Sequence, residues 1–206
     1  MINQTQVMLK LSYLLGELSP PSSGIDDRYG FIQSSLEEAY QTYPWEFAKT
    51  TATITVTSGI ATLPSGLDQA MPIDMMTINS GTGTDYNWQE IPYHEQDVYA
   101  QSNYRYWREG NILKTVENNG NPFIRFSTIA PQINATMTAP FPDPMPIAQG
   151  ALRFVRLGEN PSADIAPEEA IFQRSLQRLW GQEHRSQPRS IRRSRANQNG
   201  HFTGRV

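Results

Sequence analysis

The hydrophobic pattern changes period twice along this 206-residue chain, and that change constrains its fold more than any other feature. Near both ends, apolar residues recur every three or four positions, which is typical of amphipathic helices. Between the two ends, apolar and polar residues alternate, which is typical of strands with one buried face. The order of these periods predicts helices, then strands, then helices again.

Two helices are predicted in the N-terminal part. The first spans Gln4–Leu18, because its apolar residues fall on one helical face. The second begins with Asp26 or Asp27 as a capping residue and ends before Pro44, which cannot continue a helix. The intervening segment Ser19–Gly24 is rich in serine and proline, so it predicts a break between the two helices.

Two more helices are predicted towards the C-terminal end. Pro146 suits the first turn of one helix, and Gly158 suits its end. Pro167 opens the other helix, with Glu168 and Glu169 in its first turn, where acidic residues complement the helix dipole. The predicted core shared by all four helices consists of Leu11, Leu14, Ile32, Leu36, Leu152, Val155, Phe172, Leu176 and Trp180.

The middle of the chain predicts short strands. Thr51–Thr57 alternates strictly and predicts one strand, followed by a turn at Ser58–Gly59 and a partner strand at Ile60–Leu63. A hairpin connection is predicted at Asn118–Asn121, and one or two helical turns at Glu95–Gln101. The remaining predicted strands are Pro72–Asn79, Tyr86–Ile91, Ile112–Val116, Phe123–Phe126 and Ile133–Met137.

Together these elements predict an α+β protein. Two N-terminal and two C-terminal helices form a helical bundle, with a small inserted antiparallel β-sheet and an extended C-terminal arm. We expect one structural domain plus the arm. Its predicted parts are the N-terminal helices in residues 1–49, the inserted sheet region in 50–140, the helix pair that completes the bundle in 141–181, and a basic arm in 182–206.

The net charge of −3 hides a strong asymmetry between the arm and the rest of the chain. From Gly181 onward, six arginines and one glutamate give +5, whereas 11 basic and 19 acidic residues before it give −8. A basic segment on an acidic body is typical of an interaction tail, and a solvated disordered end is the alternative. After Trp180 the apolar content falls, so the arm cannot build a core of its own.

Composition excludes several classes of function. The chain has no cysteine, which excludes disulfides and thiolate chemistry. We expect no signal peptide, because the first residues lack a charged region followed by a long apolar run. We also expect no membrane association, because no stretch of 18 apolar residues is present.

Motifs that carry chemistry are weak. The glycines of Ser80–Asp85 lack the lysine and the strand–loop–helix context of a phosphate-binding loop, so a turn is the simpler interpretation. His94, Glu95 and Asp97 are too few to predict a metal site. The adjacent pairs Glu37–Glu38 and Glu168–Glu169 do not face each other on a helix. They predict a solvated face and a helix start, so we expect no catalytic residue, no cofactor, no metal and no enzyme activity.

Aromatic residues crowd one short stretch beside two arginines. Such a cluster could stack on sugars, bases or a neighbouring protein, or it could simply cover the small sheet, and the second interpretation is favoured. The residues concerned are Tyr93, Tyr99, Tyr104, Arg105, Tyr106, Trp107 and Arg108.

Local strings and their order resemble a known family. Tyr43–Thr55 contains Trp-Glu-Phe and runs from the second helix into a threonine-rich strand. Leu63–Asp68 follows with a Leu-Pro turn, then a strand around Met75–Ile78, and Leu157–Pro161 separates the last two helices. In these strings and in the order of its elements, the chain resembles the head-to-tail adaptor (connector) proteins of tailed bacteriophages. That family includes tail tubular protein A of T7-like phages and the tail accessory factor of P22-like phages.

The resemblance implies a structural virion protein at the head–tail junction, synthesised in the cytoplasm of the bacterial host. Such adaptors form a twelve-fold homo-oligomeric ring beneath the portal protein and continue the DNA channel, without sequence-specific DNA binding. The sheet region faces the tail or nozzle protein, and the C-terminal arm reaches the portal. The implied portal-binding residues here are Arg185, Arg189, Ile191, Arg192, Arg193, Arg195, Phe202 and Arg205.

Elementary physics agrees with this expectation. An acidic body suits the wall of a DNA channel, because a basic wall would bind the phosphates. About 20 residues of extended chain span roughly 65 Å, which is enough to bridge two stacked rings. The arm departs from the family in being strongly arginine-rich.

Two alternatives belong to other classes of function. A peptidoglycan-degrading hydrolase of the phage would need two carboxylates across a cleft, and Glu90, Glu95 and Asp97 are the candidates. A nucleic-acid-binding protein would use the basic arm as its phosphate contact. The arginines concerned are Arg189, Arg192, Arg193 and Arg195.

Overall fold

The computed structural model describes residues 1–20, 24–79, 85–95, 105–115 and 119–186. These residues form a mixed α+β structure, which confirms the α+β class that the sequence predicts. Four helices lie in two pairs, one pair before the strands of the middle region and one pair after them. They are α1 (Gln4–Leu14), α2 (Ile25–Thr42), α3 (Pro144–Glu159) and α4 (Ala166–Ser186).

Helix α1 is shorter than predicted. Asn3 and Gln6 form a capping box, in which each side chain accepts a hydrogen bond from the other residue's backbone N–H. The helix ends at Leu14 rather than Leu18, and Gly16 follows in the left-handed region with φ of 74°. Leu18 is consequently fully exposed and does not extend the apolar face.

The cap of helix α2 lies two or three residues before the predicted capping residues. Gly24 occupies the cap position in the left-handed region, whereas Asp26 and Asp27 lie in the first turn without capping it. Acidic side chains there still complement the helix dipole. The helix ends at Thr42, two residues before Pro44, as the proline predicted.

The C-terminal helices are longer than predicted at their outer ends. The Asp143 carboxylate caps α3 by accepting the Met145 N–H at 2.9 Å, so the helix starts at Pro144 instead of Pro146. Helix α4 continues through Ser186. It therefore includes the first five residues, 182–186, of the segment that we predicted to be an extended arm.

Twelve short strands among the described residues form three sheets. A two-stranded sheet pairs β1 with β12, a four-stranded sheet has the order β2-β11-β5-β6, and a six-stranded sheet has the order β10-β3-β4-β9-β8-β7. The strands are β1 (Ile2–Asn3), β2 (Lys49–Thr53), β3 (Val56–Thr57), β4 (Ile60–Thr62), β5 (Ile73–Asn79), β6 (Asp85–Asn87), β7 (Gln89–Glu90), β8 (Arg105–Glu109), β9 (Ile112–Thr115), β10 (Asn119–Gly120), β11 (Phe123–Ser127) and β12 (Thr138–Ala139).

The prediction of a single small antiparallel sheet is therefore wrong in two respects. The strands divide among three sheets, and β7 pairs with β8 in parallel. The predicted strand Thr51–Thr57 is split, because β2 joins the four-stranded sheet while β3 joins the six-stranded one. Tyr86–Ile91 is split in the same way between β6 and β7, on either side of the buried Trp88.

Two further local predictions are wrong, and side-chain chemistry or pairing explains each. Ile133–Met137 is not a strand, because the Asn134 side chain accepts the backbone N–H groups of Thr136 and Met137 and so forms a turn. In the predicted connection Asn118–Asn121, Asn119 and Gly120 instead form β10, which pairs with β3.

The predicted turn at Ser58–Gly59 is confirmed. Both residues have positive φ, 53° and 77°, which joins β3 to β4 as a tight hairpin. Ile60 and Thr57 pair across it, and Ala61 points to the buried face.

The buried residues form two hydrophobic clusters. The helix cluster lies where α3 packs against α1, α2 and α4, and it also takes in Trp45 and Phe141 from the adjoining loops. The sheet cluster lies between the strands and includes Met76, Leu113 and Ile124. The two clusters thus follow the two hydrophobic periods of the sequence.

Gly150 permits a close approach of α3 to its neighbours. A Cβ atom built there would lie 2.1 Å from Ser35 Oγ of α2 and 2.8 Å from Phe172 of α4. The Ser35 hydroxyl donates to the Ile147 carbonyl at 2.9 Å, which fixes the two helices at this distance. The helices pack this closely only because position 150 has no side chain.

Candidate interaction surfaces

The predicted core residues lie in or against the helix cluster. Leu11, Ile32, Leu36, Val155, Phe172 and Leu176 are buried in it, and Leu14, Leu152 and Trp180 are partly buried against it. Of the predicted arm residues, Arg185 lies in the last turn of α4. The others, Arg189, Ile191, Arg192, Arg193, Arg195, Phe202 and Arg205, lie outside the described residues.

Helix α1 carries apolar residues on its solvent side as well as on its buried side. Leu9 and Tyr13 are 54% and 74% exposed, and they lie one helical turn apart beside Lys10. Together with Gln6, these three residues form what we call the α1 outer stripe. A helix that is apolar on both sides usually buries both sides, so this stripe is a candidate protein interface.

An open groove runs along the α1 outer stripe. Its volume is about 780 Å³, and the opposite wall is built by the proline-rich start of α3. Among its lining residues Lys10 is the single charged side chain, and none is acidic. The residues that line it are Met1, Gln6, Leu9, Lys10, Tyr13, Pro142, Pro144 and Met145.

An aromatic cluster anchors the chain where it leaves α2. Trp45 is fully buried, its indole N–H donates to the Ala39 carbonyl at 2.7 Å, and its ring packs against Phe47 and Phe141. Burial raises the pKa of the nearby Tyr40 to about 12, so this phenol is neutral. The Trp-Glu-Phe string thus holds the first strand of the sheet region against the helices.

Two adjacent cavities lie where α4 passes the aromatic cluster, and we call them together the terminal cleft. They share Leu179 and Gln182 of α4. The first cavity, of about 310 Å³, is also lined by Trp45, Phe47, Pro142 and Glu183. The second cavity, of about 220 Å³, is also lined by Asp143, Met145, Pro146, Gln149, Ser175 and Arg178.

The terminal cleft combines apolar walls with hydrogen-bond acceptors. One Glu183 carboxylate oxygen accepts the Phe47 N–H at 3.2 Å. The buried Gln149 side-chain oxygen has no hydrogen-bond donor within the described part of the chain. Asp143 adds a second carboxylate at the rim, and Arg178 is the single cation among the lining residues.

A charged network connects three helices, and it corrects the prediction that Glu37–Glu38 is only a solvated face, because Glu38 pairs with an arginine while Glu37 is exposed. The predicted helix start at Glu168–Glu169 is confirmed, since both residues lie in the first turn of α4. Arg153 of α3 is 5% exposed and forms ion pairs with Glu38 of α2 and Glu169 of α4. Its guanidinium also lies 4.6 Å from the centre of the Phe172 ring. Glu168 is buried and pairs with Arg156, so this carboxylate is more than a helix-start signal.

The candidate hydrolase carboxylates are engaged in other interactions or lie outside the structure. Glu90 accepts the Arg108 Nε–H at 2.6 Å and lies 3.4 Å from the Tyr106 hydroxyl, so it neutralises a cation at the sheet edge. Glu95 lies in a short 3-10 turn, 3.7 Å from the exposed His94. Asp97 lies outside the described residues.

The aromatic stretch is divided between core and surface. Tyr106 is buried in the sheet cluster, and burial raises the pKa of its hydroxyl well above the ordinary value. Trp107 lies on the opposite face of β8, where its indole N–H donates to Glu109 at 3.2 Å. Tyr99 and Tyr104 lie outside the described residues.

Sequence reasoning missed the residues that build these surfaces. In the sequence, only the family resemblance marks Trp45, and no pattern that we used marks Phe141 or Arg153. Arg153 could have been found from its position in the apolar stripe of α3. An arginine that is buried in a core requires an acidic partner. The terminal cleft left no sequence signal, because its walls come from positions 45–47, 142–149 and 175–183.

Neither the protein-family models nor the curated protein sequences contain a significant match to this chain. Within the residues that the structure covers, no three histidine, aspartate or glutamate side chains converge on a position that could hold a metal ion. No helix in the described ranges is long and apolar enough to cross a membrane.

Proposed function

We propose that this protein is a structural subunit of a phage virion that acts as the head-to-tail adaptor between the portal and the tail. The observation that carries this proposal is the order of elements around the Trp-Glu-Phe string. Two helices precede the string, the strands of the two larger sheets follow it, and two helices and a basic segment come after them. That is the order of the adaptor family that the sequence resembles.

In this proposal the four helices form one bundle, with α3 at its centre and the sheets inserted between α2 and α3. The contacts of α3 with the other three helices support this arrangement. Gly150 and the Arg153 network support it further, since both fix the distance and the angle between helices. A rigid body of this kind suits a subunit that transmits contacts between two larger assemblies.

Neighbouring copies of the protein would meet through the α1 outer stripe. A closed ring needs two different patches on each subunit, since each copy contacts two neighbours. The stripe and its groove provide one patch that is apolar and carries Lys10. A twelve-fold ring built in this way would surround the DNA, and the acidic body would keep the channel from binding the phosphates.

The basic arm would attach the ring to the portal protein. Five arginines and no acidic residue lie in 187–206, so the arm suits an acidic surface. The arm starts after Ser186, where helix α4 ends. The sheet region would face the tail or nozzle protein.

Deletion of residues 187–206 tests the proposal. We expect the truncated protein to keep the circular dichroism spectrum of the full chain and a cooperative thermal transition, but to lose binding to purified portal rings in sedimentation. Full binding by the truncated protein would overturn the role of the arm.

A second pair of variants tests the ring contact. Leu9→Ser with Tyr13→Ser should prevent ring formation in the presence of the portal, because both side chains are exposed and apolar. Ile60→Ser is the matched control, since it removes an exposed apolar side chain from the six-stranded sheet instead. Rings formed equally well by both variants would contradict the assignment of the α1 outer stripe.

A further inference from the structure

We infer that the terminal cleft is a docking site for the proximal part of the arm of the same chain, centred on Arg189–Arg193. This inference goes beyond attachment of the ring to the portal. It concerns the protein before it meets any partner, and it assigns an occupant to a cleft that is built from the end of α4, the start of α3 and the aromatic cluster.

The chemistry of the cleft specifies a ligand that donates hydrogen bonds and is partly apolar. Two carboxylates, Asp143 and Glu183, outnumber the single lining cation Arg178. The Gln149 side-chain oxygen is buried and lacks a donor among the described residues, and a buried acceptor of this kind costs free energy until a donor reaches it. Trp45 and Leu179 supply apolar walls beside these acceptors.

Arginine matches this combination better than any other side chain. Its guanidinium has five N–H donors and no acceptor, and its stem of methylene groups packs on apolar surface. The segment Arg189–Arg193 places three arginines around Ile191 and contains no acidic residue. It therefore offers donors for Gln149 and Glu183 and an apolar side chain for the walls.

The position of the arm favours docking within one chain. Helix α4 ends at Ser186, only three residues after Glu183, so residue 187 emerges about one helical turn from the cleft. A segment tethered this closely has a high effective concentration at the site, which an arm from another molecule would have to exceed. If the arm also binds the portal, which rests on the proposed function, the cleft and the portal compete for it.

Cross-linking of the full-length chain in isolation tests this inference. Because the protein has no cysteine, paired cysteines can be introduced without a background reaction. The test pair is Gln182→Cys with Ile191→Cys, and the control pair is Gly181→Cys with Ile191→Cys. Position 181 is almost equally far from Ile191 along the chain, has open space around its Cβ position and lines neither cavity. Mass spectrometry after mild oxidation would quantify the disulfide within each chain.

We expect the test pair to form its intramolecular disulfide at least tenfold faster than the control pair, at a rate independent of protein concentration. Charge removal by Asp143→Asn with Glu183→Gln should slow the reaction several-fold at low salt. Asparagine still caps α3 and glutamine can still accept the Phe47 N–H, so these substitutions preserve the fold. Their effect should vanish at high salt.

Three results would overturn the inference. Equal rates for the two pairs would mean that the arm samples the surface without docking. A disulfide formed only between two molecules would mean that the cleft takes the arm of another copy. A rate unchanged by charge removal would mean that the carboxylates do not recognise the arm. None of these results depends on the portal, so they leave the deletion test of the proposed function independent.

Discussion

The helix cluster and the sheet cluster use charge in different ways. The helix cluster contains a buried arginine, Arg153, whose carboxylate partners come from two other helices. The sheet cluster is aliphatic and aromatic, and its ion pairs lie at the margin, where Arg108 pairs with Glu90 and Lys114 with Glu109. Helices that lack mutual backbone hydrogen bonds need side-chain contacts to fix their relative position, whereas strands are positioned by their ladders.

The two clusters meet at the short 3-10 turn Glu46–Ala48. Lys49 forms ion pairs with Glu46 at 2.9 Å and with Asp74 at 2.8 Å, which ties this turn to β5. Arg125 of β11 also pairs with Glu46. The joint is therefore polar, while Trp45 and Phe47 beside it belong to the helix cluster. Variants in each region should therefore differ in predictable ways.

The largest difference in stability should come from substitution of Trp45 in the helix cluster and of Trp107 in the six-stranded sheet. Trp45→Ala should lower the free energy of unfolding by about 3–5 kcal/mol, because it removes a fully buried ring and leaves the Ala39 carbonyl without its donor. Trp107→Ala, on the outer face of the six-stranded sheet, should lower it by about 1 kcal/mol or less. Urea denaturation followed by circular dichroism would measure both, and equal losses would contradict the central position of Trp45.

The two arginine networks should differ next. Arg153→Leu should cost about 3 kcal/mol, since it leaves two partly buried carboxylates without their cation. Arg108→Leu in the sheet region should cost about 1 kcal/mol, because the Arg108 side chain is 20% exposed, against 7% for Arg153, and it pairs with one carboxylate instead of two. Chemical denaturation would compare them, and a loss at Arg108 as large as that at Arg153 would remove the contrast between the clusters.

Two glycine-to-alanine substitutions in the helices should change stability by smaller amounts and in opposite directions. Gly150→Ala should destabilise the protein by about 1–3 kcal/mol, because the added Cβ would overlap Ser35 and Phe172. Gly30→Ala, in the exposed interior of α2 with open space around its Cβ position, should stabilise it by about 0.5–1 kcal/mol. Calorimetry of both variants would check the pair, and a stable Gly150→Ala protein would disprove the close approach of α3.

The Glu46–Ala48 turn should give the smallest effect on stability, and this effect should depend on pH. Burial raises the pKa of Glu46, but Lys49 and Arg125 outweigh that effect and hold it below the ordinary value of 4.5. A carboxyl with a lowered pKa stabilises the fold above pH 4.5, and that contribution disappears as the pH falls through the lowered value.

Glu46→Gln should therefore reduce the loss of stability between neutral pH and pH 3, by about 1 kcal/mol or less. Thermal unfolding across this pH range would measure the change. Glu17→Gln is the matched comparison away from this turn, because the hydrogen bond from Arg28 of α2 likewise lowers the pKa of Glu17, which lies between α1 and α2. A larger loss of stability at low pH in Glu46→Gln than in the unmodified protein would contradict the ion pairs at the Glu46–Ala48 turn.

The sequence predicted the helices better than the sheets, for a physical reason. The apolar faces of α1–α4 repeat within one segment, so Leu11, Leu36 and Phe172 could be assigned to a core without knowing their partners. Strand pairing joins distant segments, and the alternation of Thr51–Thr57 continues unbroken although its two halves enter different sheets. Periodicity fixes which face of a strand is buried, but it does not fix which strand lies beside it.

The candidate surfaces were only partly predictable. The arginines of 187–206 mark a basic segment in the sequence, and its place in the structure stays a prediction. The α1 outer stripe gave no separate signal, because Leu9 and Tyr13 lie beside the buried stripe of the same helix. The terminal cleft could not be predicted, since Trp45, Asp143 and Gln182 meet only after the chain has folded. Cavities of this kind depend on packing between segments, which a pattern along the chain does not encode.

The mass of the assembly that this protein forms with the portal tests the adaptor proposal most directly. Mass photometry of the full chain should show a complex of one portal ring with twelve copies of the 23.3 kDa protein, and no such complex after deletion of residues 187–206. A protein that remains monomeric beside intact portal rings, at concentrations well above those in an infected cell, would contradict the account.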